Sequence, residues 1–228
     1  MGKNNNLIKY MADMTTLIFS PHADDETLGC GGSIAARRSS GEEVYIVFMT
    51  DGRYGSPLPE ERGSKELIET RKKEALNALE ILGIKKDNIY FLDFEDGHLS
   101  KSKKLALLKV EDIIKTVKPN NIYFTSHIDA HTDHSTTGEI VRKAIGNLNI
   151  NVKQYSFMIW KPRLIARDLN ISIKFIKSYF YKPRIEVVDI SKYLNIKLKA
   201  LEEYKSQVKW FSKEFLSRFT TNYETFFI

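Results

Sequence analysis

The chain has 228 residues, 42% of them hydrophobic, which suffices for one sizeable core and predicts a single domain spanning 1–228. The 35 Lys and Arg exceed the 29 Asp and Glu by six, and the basic side chains are scattered through helix-like segments rather than gathered in blocks. This pattern favours a solvated surface over a nucleic-acid track, so no nucleic-acid partner is expected, although an anionic substrate or membrane surface would also suit it.

The sequence carries no sign of export. Its one cysteine, Cys30, cannot form an internal disulfide. The apolar run at residues 15–19 is too short for a signal-peptide core, and no run is long enough to span a membrane. We therefore expect a cytoplasmic protein without stable membrane insertion, and the sequence leaves open whether identical chains associate.

Strand-like and helix-like segments alternate along the chain. In chain order the predicted elements are strand 15–20, helix 26–39, strand 43–49, helix 65–82, strand 88–92, helix 101–118, strand 121–125, helix 135–148, strand 152–160, strand 185–190 and helix 193–215. The aromatic, alternating segment 171–181 fits either an antiparallel edge strand or a flap over a pocket. The alternation predicts an α/β fold, a Rossmann-like three-layer sandwich with a mostly parallel sheet and helices on both faces.

A polar segment follows the first predicted strand. It reads Ser-Pro-His-Ala-Asp-Asp-Glu-Thr-Leu-Gly over residues 20–29 and holds His22, Asp24 and Asp25 where a strand gives way to a helix. Ligands of α/β proteins commonly bind there. Adjacent carboxylates in a turn point in different directions, so one can reach a metal beside His22 while the other faces a water. Capping of the following helix by the two acids is the alternative.

A second polar segment follows the strand predicted at 121–125. Residues 126–135 read Ser-His-Ile-Asp-Ala-His-Thr-Asp-His-Ser and hold three of the five histidines of the chain. Catalytic zinc sites use imidazole and carboxylate ligands and keep one position open. The two segments together favour a metal site over a hydrogen-bonded surface loop.

The pair of segments resembles the LmbE-like (PIG-L) family of zinc-dependent N-acetylglucosaminyl deacetylases, whose motifs read H-P-D-D-E and H-P-D-H. Here they stand as residues 22–26, His-Ala-Asp-Asp-Glu, and residues 131–134, His-Thr-Asp-His. The likeness continues at 50–52, at Arg71 and Glu74, at 96–97 and at 204–207. Ala23 and Thr132 replace prolines, which bears on loop rigidity more than on chemistry.

The resemblance implies a metal site and a catalytic pair. One zinc ion per chain would be held by His22, Asp25 and His134. Asp24 would take a proton from a water and pass it to the departing amine. His131, if protonated, would stabilise the oxyanion. Behind these residues, imidazole would be oriented by either of two acids, Asp133 or Asp129.

Substrate contacts are also implied by the resemblance. Arg71 and Asp96 would hold sugar hydroxyls, with His98 a further candidate; for Arg71 the alternative is a surface ion pair with Glu74. Arg53 stands where family members often carry an acid. Since guanidinium matches phosphate or carboxylate, we hypothesise that Arg53 at the pocket mouth selects a sugar with an anionic aglycone or an acidic glycan; the alternative is that it faces solvent.

The predicted function is zinc-dependent hydrolysis of the acetyl group from an N-acetylglucosamine-type sugar or its conjugate by metal-activated water. The expected partner is a small-molecule or oligosaccharide N-acetyl sugar. A metal-dependent phosphoesterase is the enzymatic alternative, but it would need more bridging carboxylates than the two segments supply. A non-catalytic sugar-binding protein of the same fold would be favoured by a missing ligand, and every core position is present.

Overall fold

The computed structural model describes residues 14–162 and 183–228 of the chain. The strands in these residues are β1 (Thr15–Ser20), β2 (Glu43–Thr50), β3 (Ile89–Phe94), β4 (Asn121–Thr125), β5 (Lys153–Phe157), β6 (Ile185–Asp189) and β7 (Tyr223–Phe227). They form one sheet in the order β3-β2-β1-β4-β5-β7-β6. Strands β1 to β5 are parallel, and β7 runs antiparallel to β5 and β6.

Helices cover both faces of the sheet. They are α1 (Asp25–Ser39), α2 (Lys65–Ile81), α3 (Lys103–Val117), α4 (Thr132–Leu148), α5 (Leu194–Glu202), α6 (Lys205–Val208) and α7 (Lys213–Ser217). One apolar core contains side chains of α1, α2 and α5, and the other contains side chains of α3 and α4. The predicted α/β sandwich with a mostly parallel sheet is therefore confirmed.

The two cores follow from the alternation of side chains along the strands. In β1, Ile18 enters one core while Leu17 and Phe19 enter the other, and all three are fully buried. A strand covered on both faces needs apolar residues at every position, which is why β1 and β2 read as near-continuous apolar runs.

The strand order reverses direction at the centre of the sheet. Strand β1 pairs with β2 on one side and with β4 on the other. Helix α1 follows β1 into one core, and α4 follows β4 into the opposite core. The turns that leave the carboxyl ends of β1 and β4 therefore flank a crevice of the kind in which α/β proteins bind ligands.

Two predictions in the last third of the chain are wrong. The helix predicted at 193–215 is three short helices, because Tyr204 leaves the helical conformation (φ −78°, ψ 52°) and Ser212 begins a new helix by accepting a hydrogen bond from Phe215. The strand predicted to reach residue 160 ends at Phe157. The amides of Ile159 and Trp160 donate to the carboxylate of Asp129 instead of to a neighbouring strand.

Other parts of the sequence interpretation stay open or were incomplete. Strand β7 was not predicted at all. The segment 171–181 lies outside the described residues, and the single domain spanning 1–228 stays a prediction.

Among residues 14–162 and 183–228, no helix combines the length and apolar character needed to cross a membrane.

Candidate metal centre and active site

The turn between β1 and α1 is held in an unusual conformation. Asp24, the residue before the helix, has φ 136° and ψ −31°, a region that side-chain-bearing residues rarely adopt. Its amide donates to Glu26 Oε2 over 3.1 Å, and its own side chain makes no capping hydrogen bond. The capping interpretation is therefore wrong for Asp24. Backbone strain of this kind clusters at functional sites, where the surrounding structure maintains it.

Helix α4 approaches the end of β4 closely. A Cβ atom at Gly138 would lie 2.4 Å from the carbonyl oxygen of Thr125, so this approach requires glycine. The Thr125 hydroxyl donates to the carbonyl of His134 over 2.8 Å. These contacts fix the first turn of α4 and bring His134 beside the turn that follows β1.

Three potential ligand atoms from the two turns converge. His22 Nδ1 lies 3.1 Å from both Asp25 Oδ2 and His134 Nε2, and the last two atoms are 3.2 Å apart. All three residues are buried. Ligands bound tetrahedrally at about 2.0–2.1 Å would be about 3.3 Å apart, so these atoms already have nearly the spacing of a zinc ligand set.

Carboxylates lie behind both imidazoles. His22 Nε2 is 3.1 Å from Asp96 Oδ1 and 3.3 Å from Asp133 Oδ2. On the other ring, His134 Nδ1 is 3.5 Å from Asp129 Oδ2. Metal-ligating histidines usually present their second nitrogen to a carboxylate, which fixes the tautomer. Both predicted orienting acids thus lie where they can act, one behind each histidine.

Other groupings around His22 could also hold a metal. His22, His131 and His134 offer one set of ligand atoms within 4.8 Å of one another, and His22, Asp96 and Asp133 offer a second. In the second set, Asp133 already accepts from the amides of Gly97 (2.6 Å) and Leu99 (3.2 Å). In the set of His22, Asp25 and His134 all three distances are 3.1–3.2 Å and each residue contributes an atom that faces the other two, so we take this set as the candidate ligand set.

The histidines and Asp25 stabilise one another as charges. Burial alone would raise the pKa of Asp25, but His134 and His22 outweigh it and hold that pKa well below its usual range. Burial would lower the pKa of His134, yet Asp25 and Asp129 raise it to about 9. Because each charge is matched by an opposite one nearby, the cluster tolerates its burial.

The pKa values of Asp24 and His131 are displaced in the opposite directions to those of Asp25 and His134. Burial and the neighbouring charge of Asp25 raise the pKa of Asp24 to about 8. Burial and the other two histidines lower the pKa of His131 to about 4, so this ring is neutral near pH 7. His131 Nδ1 accepts from the amide of Asp133 over 3.3 Å, which leaves its proton on Nε2. Groups with pKa values displaced in this way are typical of catalytic sites.

The metal cluster opens onto a cavity of about 600 Å³. One wall, which we call the metal wall, consists of His22, Asp24, Asp25, Asp96 and His131. A second group of lining residues, which we call the aromatic wall, consists of Trp160, Phe211 and Phe215. Asp24 and His131 therefore face the same space as the convergent ligand atoms.

Arg71 is buried on the cavity wall rather than paired at the surface. Its Nη2 donates to the carbonyl of Ala23 over 2.8 Å and lies 3.6 Å from Asp24 Oδ2. The alternative of a surface ion pair with Glu74 does not hold, because Glu74 instead accepts from the amide and hydroxyl of Ser206. A Cβ at Gly55 would lie 1.9 Å from Arg71 Nη1, so glycine there makes room for the guanidinium.

Arg53 is not where the anionic-aglycone hypothesis requires it. It pairs with Asp51, with Nε 2.8 Å from Oδ2, and is absent from the residues that line the cavity. Two arginines do line the cavity: the buried Arg71 and the exposed Arg62, whose guanidinium lies 5.2 Å from the ring centre of Tyr54. Asp96 does line the cavity, but its oxygens also meet His22 and the amide of Tyr54.

Sequence reasoning missed two parts of the site. Tyr204 is fully buried and donates its hydroxyl to Glu26, the residue that accepts from the strained amide of Asp24. Tyr204 belongs to a stretch already noted at the family level, but its partner is not visible in the sequence. The aromatic wall was missed altogether, because Trp160 follows β5 whereas Phe211 and Phe215 lie in the α6–α7 region, and no local pattern in the sequence links these two distant segments.

Comparison with known proteins places the chain in a family. The family described as PIG-L: GlcNAc-PI de-N-acetylase matches residues 17–145, more than half of the chain. A diacetylchitobiose deacetylase of Thermococcus kodakarensis is 31% identical over 197 residues, 84% of this chain and 69% of the relative. A probable N-acetyl-alpha-D-glucosaminyl L-malate deacetylase of Bacillus subtilis is 28% identical over 219 residues, 90% of this chain and 89% of the relative.

The fold agrees with these relatives. The structure of an N,N'-diacetylchitobiose deacetylase from Pyrococcus horikoshii superimposes with a TM-score of 0.67 at 24% identity, covering 94% of this chain and 81% of the other. At that identity the likeness speaks for the fold. The family match covers residues 17–145 and includes both motifs, and the Thermococcus relative is 31% identical over 84% of this chain. This chain therefore belongs to the PIG-L family.

Proposed function

We propose that this protein is a metal-dependent N-deacetylase that removes the acetyl group from an N-acetylglucosamine-type sugar. The observation that carries the proposal is the convergence of His22 Nδ1, Asp25 Oδ2 and His134 Nε2 within 3.2 Å, on a cavity that Asp24 and His131 share. The relatives named as deacetylases of N-acetylglucosaminyl compounds support the same reaction.

The proposed metal is one zinc ion per chain, held by these three residues. Two imidazoles and one carboxylate suit zinc better than magnesium or calcium, which prefer oxygen ligands. A metal in this position would acidify a water and polarise the acetyl carbonyl. The carboxylates behind His22 and His134 keep each ring turned so that the nitrogen facing the site can act as a ligand.

Asp24 is the proposed proton carrier. It would accept a proton from water in the cavity and deliver it to the nitrogen that leaves with the sugar. Its pKa is raised by burial and by the charge of Asp25, so a cation beside Asp25 favours the ionised form that accepts protons. Arg71, 3.6 Å from Asp24 Oδ2, favours the same form.

His131 is the proposed donor to the developing oxyanion. The sequence interpretation required a protonated ring, whereas the lowered pKa of His131 favours a neutral one. Its Nδ1 is occupied by the amide of Asp133, so Nε2–H is the available donor. A neutral, fixed N–H can stabilise the oxyanion without needing a charge in the ground state.

Substrate hydroxyls are assigned to Arg71 and Asp96. Asp96 belongs to the metal wall, Arg71 lines the cavity near Asp24, and both are buried. Contacts with protein groups hold each side chain in place, which supports precise positioning of a sugar ring. A cytoplasmic location and any self-association stay predictions.

Acetate release from a panel of N-acetylglucosaminides tests the function. We expect release by the purified protein, loss after treatment with a chelator, and recovery on adding zinc. The same preparations are assayed for phosphate release from aryl phosphates, which the phosphoesterase alternative requires. Absence of acetate release from every member by zinc-loaded protein would contradict the proposal.

A further inference from the structure

The aromatic wall has the form of a stacked platform. The rings of Trp160 and Phe215 stack with centres 4.6 Å apart and planes inclined by 28°. The ring centres of Phe211 and Phe215 are 4.7 Å apart. Phe215 is buried behind, whereas Trp160 keeps 40% of its surface exposed while lining the cavity. A large ring that packs against Phe215 and keeps part of its surface exposed at the cavity offers apolar surface to whatever enters.

The main chain of Trp160 is tied to the metal site. Its amide and that of Ile159 both donate to Asp129 Oδ2, over 3.1 and 2.8 Å. Its carbonyl accepts from the amide of Ala130, immediately before His131, over 2.9 Å. Asp129 is also the carboxylate behind His134. These hydrogen bonds therefore fix the position of Trp160 relative to the groups that would act on the acetyl group.

Polar side chains edge the same space. Gln207, 5% exposed, lines the cavity, and its amide nitrogen donates to the Ser206 hydroxyl. Arg62 lines it as well. A pyranose ring has apolar C–H faces and a rim of hydroxyls, so it matches an aromatic face bordered by an amide and a guanidinium. An alkyl chain would make no hydrogen bond to either group.

We infer that Trp160, supported by Phe215, binds a second pyranose ring glycosidically linked to the N-acetylglucosamine residue whose acetyl group is removed. The preferred substrate is then a disaccharide or longer oligosaccharide rather than the free monosaccharide. This inference rests on the proposed function for the position of the first sugar. The aromatic wall would then give the site its selectivity among N-acetyl sugars, which the metal wall does not distinguish.

Substitution of the two tryptophans provides a matched test. Trp210 is 43% exposed, close to the exposure of Trp160, but it packs near Lys209 and does not line the cavity. With Trp160→Ala we expect kcat/KM for the β-linked N-acetylglucosamine disaccharide to fall about tenfold, the scale of one lost aromatic stacking contact. For N-acetylglucosamine itself the change should stay within about twofold, and Trp210→Ala should affect neither.

An alkyl N-acetylglucosaminide is included to identify a lipid-like occupant. A loss confined to the alkyl compound would overturn the inference, and so would equal losses on monosaccharide and disaccharide. In either case acetate would still be released, so the proposed function would stand while the subsite failed.

Fluorescence separates the subsite from turnover. In an Asp24→Asn background, Trp160→Phe leaves Trp210 as the one tryptophan and Trp210→Phe leaves Trp160. The disaccharide should change the emission of the protein that retains Trp160 and not of the protein that retains Trp210. That result supports the subsite even if no sugar releases acetate from the parent protein. No change in the protein that retains Trp160, up to millimolar disaccharide, would overturn it.

Discussion

The two walls of the cavity are built in different ways. The metal wall comes from turns at the carboxyl ends of β1, β3 and β4, where buried side chains meet partners of opposite charge at 3.1–3.6 Å. The aromatic wall comes from the segment after β5 and from the α6–α7 region, and its contacts are ring against ring. The comparison indicates that the chemistry and the choice of substrate are carried by separate parts of the chain.

The physical reason is the different tolerance of charged and apolar contacts. A buried charge that loses its partner costs several kcal/mol, so each member of the metal wall depends on the others. Aromatic contacts are less directional, so a ring can be exchanged without unpairing its neighbours. Changes on the metal wall should therefore remove turnover for all substrates, and changes on the aromatic wall should alter preference among them.

The largest expected effect is that of His134→Ala. Loss of its Nε2 leaves two of the three converging ligand atoms, so the protein should lose the bound metal and all measurable acetate release. Metal content after purification without added metal measures this directly. His98→Ala is the matched control: His98 also lines the cavity, but it pairs with Glu95 and should leave metal content unchanged. Full metal content in His134→Ala would refute the ligand assignment.

The adjacent acids should separate in behaviour. Asn at position 24 keeps the size of Asp but cannot accept a proton, so Asp24→Asn should retain metal while kcat falls by about 10²–10⁴. Asp25→Asn removes ligand charge and should weaken metal binding itself. Substituting a group that only orients a ligand typically lowers metal affinity about 10–100-fold, and we expect a loss at least as large here. Metal titration and acetate release on both variants distinguish the two roles. Equal metal loss in both would show that the proposed division is wrong.

A smaller effect should follow from Tyr204→Phe, a change at a buried residue that belongs to neither wall. The change removes the hydroxyl that donates to buried Glu26, and Glu26 in turn accepts from the strained amide of Asp24. We expect the free energy of unfolding to fall by about 1–3 kcal/mol, the cost of leaving a buried carboxylate short of a partner. Because Asp24 loses support, kcat should fall by several-fold with KM nearly unchanged.

Tyr193→Phe is the control for Tyr204→Phe. Tyr193 also bonds through its hydroxyl, to Ser39 at the surface, and its loss should change stability by less than about 0.5 kcal/mol. Denaturant unfolding and steady-state kinetics measure both variants. If Tyr204→Phe altered stability alone and left kcat intact, its role would be limited to packing.

The same contrast explains how much the sequence could predict. Strands β1 to β5 and both motif turns were predicted, because apolar runs and clustered histidines are local signals. Whether Arg71 faced the cavity or Glu74 could not be decided locally, since it depends on space left by Gly55, 16 positions earlier in the chain. The break at Tyr204 likewise depends on a partner in α1 that helical periodicity cannot reveal.

The smallest expected effect concerns the cations near the cavity. Arg53 is engaged by Asp51, so Arg53→Ala should change kcat/KM by less than about twofold on neutral and anionic N-acetylglucosaminides alike. Arg62 is exposed on the cavity side, and Arg62→Ala should lower kcat/KM for the anionic substrates alone, by about threefold, because exposed charge pairs contribute about 0.2–1 kcal/mol. Added salt should reduce that difference by screening. An anion-specific loss in Arg53→Ala instead would restore the original hypothesis for Arg53.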